Sequence, residues 1–134
     1  MYGDEEIEMA ECDMYGELMG EFTIDLGKFL MTQKDEDNKE CKKKLDGEII
    51  PTFFRCYEEK LEKTQSCYLI GSKLTWVDIA LFRMVESIED NSINMQKTVF
   101  EKFEKFPHVK RHFEFIARIP KIAEHIKNRP NYPY

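Results

Sequence analysis

The chain has 134 residues, of which 42% are hydrophobic, 13% aromatic and 34% charged, a balance that fits one globular domain and excludes a disordered chain or a fibre. Six glycines and five prolines are too few for a turn-rich all-β design, and a formal charge of −6 repels phosphate backbones and anionic lipid. The short basic runs Lys42-Lys43-Lys44 and Lys110-Arg111 sit beside acidic residues, so no nucleic acid and no membrane is expected as a partner. Cys12, Cys41, Cys56 and Cys67 lack both CxxC pairing and the density of a secreted scaffold, and read as reduced thiols. With an acidic start and no apolar run of membrane-spanning length, a cytoplasmic location is expected.

In chain order, residues 5–30 lack proline and place Ile7, Met14, Leu18, Phe22 and Leu26 on one stripe, widened by Met9, Met19, Ile24 and Phe29. That period predicts a long amphipathic helix. Gly16, Gly20 and Gly27 oppose it, each by up to about 1 kcal/mol against Ala, so a close approach or a bend is expected there. The polar run 33–40 reads as a connection or an exposed helix start. Ile49, Ile50, Phe53, Phe54, Tyr57 and Leu61 predict a second helix over 45–63, with Pro51 near its start or at a kink. Thr64-Gln65-Ser66 closes it with side chains that bond their own backbone.

Residues 76–88 are apolar on nearly every side, which predicts a helix at the centre of the domain. After a polar bridge, 91–97, helices are expected over 99–106, 107–117 and 120–128, with Pro107 and Pro120 as first-turn residues and an extended tail over 129–134. His108 and His112 have no third ligand at metal spacing and read as surface histidines, so no metal site is expected. No Ser/His/Asp or Cys/His signature and no phosphate loop is present, which leaves these residues without independent catalysis.

Thr75-Trp76-Val77-Asp78 fits a capping box. The Thr75 hydroxyl can accept the N–H three residues on while Asp78 reaches back to the N–H of Thr75, and Leu74 and Ile79 can meet as a hydrophobic staple. A buried helix start needs such partners because water cannot reach its free amides.

The wider string over 68–80, Tyr-Leu-Ile-Gly-Ser-Lys-Leu-Thr-Trp-Val-Asp-Ile-Ala, resembles the segment that caps the central helix in the C-terminal domain of glutathione transferases. Residues 6–14 resemble the start of that domain's first long helix. Residues 119–130 resemble the closing helix of the sigma class, the class related to hematopoietic-type prostaglandin D synthase. The resemblance spans essentially the whole chain and implies an all-α bundle of about five to six helices around a buried central helix.

It also implies roles. Glu21 stands where the family carries an Asp that reaches glutathione held by the other subunit of a homodimer, with Asp13 and Glu17 on the same face. Gly20 replaces a usual acid, which disfavours the divalent-metal cluster of some sigma members. Thr23, Gly27, Lys28, Ala80, Met84 and Tyr134 match the pocket for the hydrophobic electrophile. Lys28 and Ala80 depart from the aromatic pattern of prostaglandin isomerases, so a roomier pocket of general specificity is implied.

In the family a preceding thioredoxin-like domain binds glutathione, the co-substrate, and lowers the pKa of its thiol. This chain is expected to be the part that follows, a 1–134 helical domain without that unit, and not catalytic alone. The alternative is a free-standing, non-catalytic domain for interaction or hydrophobic-ligand binding.

Overall fold

The computed structural model describes residues 3–31, 40, 43–89 and 104–130. Among them stand five α-helices and no strand: α1 (Glu6–Met31), α2 (Ile50–Lys63), α3 (Trp76–Glu89), α4 (Pro107–Ala117) and α5 (Pro120–Asn128). The all-α expectation holds. A π-helical turn, Leu45–Ile49, precedes α2 and accounts for the rest of the helix expected over 45–63. Of the helix expected over 99–106, Glu104 and Lys105 form a turn and Phe106 precedes α4, while 99–103 lie outside the described residues. So do 33–39, 91–97 and 131–134.

The core follows from the stripes in part: on α1, Met19, Phe22 and Leu26 are buried, while Ile7, Met9, Met14 and Ile24, expected on the same stripe, are exposed. On α2, Phe53, Phe54, Tyr57 and Leu61 are buried, each contributing roughly 1.5–3 kcal/mol by leaving water. Phe53 stacks on Phe22 of α1 with ring centroids 4.1 Å apart. Tyr57 is fully buried, and its hydroxyl donates to the Tyr15 carbonyl at 2.7 Å, which satisfies the one polar atom it carries inside. Burial, with a smaller push from Tyr15, raises the Tyr57 pKa far above its ordinary value. Pro51 occupies the first turn of α2, where its missing N–H costs nothing. Pro107 and Pro120 do the same for α4 and α5.

Val77, Leu81, Phe82 and Val85 bury α3 against α1 and α4. At the crossing with α1, the Trp76 indole occupies the place where a side chain on Gly16 would begin. The close approach expected of the α1 glycines is therefore made at Gly16 alone, because Gly20 and Gly27 face open space. Gly71 is needed for a different reason. Its φ is +62°, and a Cβ there would meet the Glu8 carboxylate.

Candidate functional site

The start of α3 is densely bonded. Asp78 is fully buried. Its Oδ2 accepts the Thr75 backbone N–H at 2.9 Å, the reach-back of a capping box. Where the sequence suggested the Thr75 hydroxyl as an acceptor, it is seen donating to the same oxygen at 3.0 Å, since a buried carboxylate needs donors on every lone pair. Oδ1 takes the Leu69 backbone N–H at 2.8 Å and faces His112 Nε2 at 2.8 Å. One side chain thus ties together α3, the preceding loop and α4. Leu74 and Ile79 are both half-buried beside this junction.

The surface reading of the histidines is overturned. His112 is 3% exposed, and its place follows from spacing, because Val109, His112 and Ile116 form the buried stripe of α4. His108 is half-buried: its backbone N–H donates to Glu58 Oε1 at 2.9 Å and its Nδ1 lies 2.6 Å from the same oxygen. Glu58 Oε2 accepts the Val109 N–H at 2.8 Å. A carboxylate on α2 therefore caps α4, a role that sequence reasoning missed. Glu58 lies between Phe54 and Leu61 at spacings of four and three, which is the signal that could have placed it inward.

The candidate ligand residues lie elsewhere. Asp13, Glu17 and Glu21 recur every four residues on α1, and all three are exposed. Glu17 and Glu21 line a cleft of about 480 Å³ between α1 and α2, together with Tyr15, Cys56, Lys60 and Lys63. Lys60 is held at 2.7 Å by Glu11. Thr23 is exposed, and its hydroxyl donates to the Met19 carbonyl of its own helix at 2.8 Å. Gly27 is half-buried, and Lys28 is exposed, 3.5 Å from Asp25. Ala80 and Met84 stand half-buried against the core on α3, which packs against α1. Tyr134 lies outside the described residues.

Two turns along α3 from Ala80, Glu86 accepts Arg83 at 2.6 Å and Arg129, just past α5, at 3.0 Å. Burial pushes the Glu86 pKa up, but the bonds from Arg129 and Arg83 outweigh it and hold the carboxyl below its ordinary value. Among the described residues no group of three His, Cys, Asp or Glu side chains could hold a metal, and no helix is long and apolar enough to cross a membrane.

A five-helix bundle closed by a buried N-terminal acid on its central helix is the class of domain these residues define. The family model for the glutathione S-transferase, C-terminal domain, matches residues 21–129, and the chain belongs to that family. It is 32% identical over 88 residues to a glutathione S-transferase of Plasmodium yoelii yoelii, covering 66% of this chain and 39% of that protein. It is 28% identical over 138 residues to probable glutathione S-transferase 6 of Caenorhabditis elegans, covering 98% and 62%. The chain thus spans about two fifths to three fifths of the length of these relatives.

Among solved structures, NaGST1 superposes with a TM-score of 0.81 at 26% identity, over 98% of this chain and 62% of that one. Prostaglandin synthase D of Nilaparvata lugens superposes with a TM-score of 0.82 over the same shares; at 22% identity it shows the shared fold alone.

Proposed function

We propose that this chain is the electrophile-binding, helical part of a sigma-class glutathione S-transferase, cytoplasmic and homodimeric, that joins glutathione to hydrophobic electrophiles. Membership of the transferase C-terminal domain family over residues 21–129 carries the reading. The similar proteins are themselves transferases, which disfavours a free-standing, non-catalytic module.

In this reading glutathione is activated by a thioredoxin-like domain, and the residues of this chain position rather than react. Glu21, with Asp13 and Glu17 on the same face, offers carboxylates to the ammonium group of glutathione held by the other subunit. The exposure of all three and the open cleft beside Glu17 and Glu21 support that role. Thr23, Gly27 and Lys28 on α1, Ala80 and Met84 on α3, and Tyr134 would surround the electrophile. The Glu86–Arg129 bond supports the last of these, because it fixes the start of the tail to the helix that carries Ala80 and Met84. No cofactor beyond the co-substrate is required.

The test is a conjugation assay of the native gene product with glutathione and a chloronitroaromatic. Conjugation is expected, and Glu21→Ala should raise the KM for glutathione several-fold with little change in kcat, the signature of a lost binding contact. A native gene product that is inert toward such electrophiles would overturn the proposal.

A further inference from the structure

Of the five helices, α5 alone has no buried residue. Its nine residues also fall short of the roughly 12–15 that a helix needs to hold in water by itself, so the rest of the chain must keep it formed. No side chain caps its first turn. Ile119, Ile122 and Ile126, spaced three and four apart, are half-buried, and the helix packs against α4. That partly wet stripe grips less firmly than the buried stripes of the other helices.

A charged contact completes the attachment. Arg129 follows α5 directly, and its Nη2 donates to Glu86 on α3, to Oε1 at 3.0 Å and to Oε2 at 3.2 Å. The two side chains are 27% and 17% exposed, sheltered enough that water and salt screen the pair little. Arg83 of α3 also donates to Glu86, at 2.6 Å, so the carboxylate that receives Arg129 is fixed by its own helix. Lys121, Glu124, His125 and Lys127 of α5 are exposed and make no ion pair among the described residues. The helix beneath has ties of its own: α4 is bound to α2 through Glu58 and to α3 through the His112–Asp78 bond, and neither tie passes through α5.

We propose that α5 is a strap latched to α3 by the Arg129–Glu86 pair, and that undoing this pair frees α5 from α4 while the other four helices stay folded. Opening bares the stripe of Ile119, Ile122 and Ile126 together with the side of α4 beneath it, an apolar face that the latch keeps closed. The latch is strong because both partners are charged and the guanidinium spans both carboxylate oxygens. It is also small, one side chain at each end, so a single event opens it. None of the residues expected to meet glutathione or the electrophile belongs to the pair, and the proposal stands apart from the transferase reading.

The experiment is amide hydrogen exchange on the intact protein at neutral pH, read by mass spectrometry on fragments covering α5 and the interior of α2. Glu86→Gln and Arg129→Gln should each speed exchange of the amides of 123–128 by roughly tenfold, the size of losing one charge-assisted bond from a local opening equilibrium. The interior amides of α2 should keep their rates in both variants. The double variant should exchange no faster at α5 than the worse single variant, because both substitutions remove the same bond. Glu86→Gln also takes an acceptor from Arg83, so if it folds poorly Arg129→Gln alone decides, with the same expected outcome. Unchanged exchange of α5 on loss of the pair, equal acceleration of α5 and α2, or effects that add in the double variant would each overturn the proposal.

Discussion

Asp78 and Glu21 are carboxylates on neighbouring helices with opposite fates. Asp78 is fully buried at the first turn of α3 and meets two backbone amides, a hydroxyl and an imidazole. Glu21 faces solvent on the middle of α1, beside an open cleft. A buried acid is retained because its removal strands donors in a dry interior, whereas an exposed acid can leave without structural consequence. The difference separates residues that hold the fold from residues free to serve a ligand.

The comparison breaks most sharply at Asp78. Asp78→Ala should cost about 3–5 kcal/mol, read as a large drop in the urea midpoint, because several buried donors lose their acceptor at once. Glu21→Ala should leave that midpoint unchanged within error, and a comparable loss at both positions would erase the distinction. Next in size, Gly16→Leu should destabilise by roughly 1–3 kcal/mol by forcing the α1–α3 crossing apart, whereas Gly20→Leu, facing open space, should not. Somewhat smaller is Gly71→Ala, expected to cost on the order of 1–2 kcal/mol for a side chain held at positive φ.

The smallest effect is pH-dependent. Glu86 has a folded pKa below its unfolded value, so its stabilisation is present above the ordinary carboxylate range and is lost as pH falls through the lowered folded pKa. Glu86→Gln should therefore lower stability at pH 7, and the gap from wild type should close in strongly acidic buffer. A gap independent of pH would show that the Arg129 bond contributes no charge pairing.

Much of the fold was legible because each helix carries its own signal. The stripe through Phe53, Tyr57 and Leu61 gave α2, and Pro107 and Pro120 marked the starts of α4 and α5. The acid that reaches back to Thr75 was also readable, since its partner lies three residues away. The partners of His112 and Glu58 were not, for a geometric reason: they sit 34 and 50 residues distant, and periodicity shows that a side chain points inward without showing what it meets. Gly16 and Gly20 pose the same ambiguity, because both weaken the helix equally on paper and only the placement of Trp76 tells them apart. The proposed ligand residues are least legible, as an exposed acidic face looks alike whether or not anything binds it.

The carboxylate that α2 lends to α4 has a consequence for how the molecule breathes. The amides of His108 and Val109 close on Glu58 instead of on a residue of their own helix, so their protection from exchange with solvent belongs to the pair. Those two deuterons should be lost in step with the interior amides of α2. Local fraying of α4 from its first turn is thereby made an event that two distant segments of the chain must share.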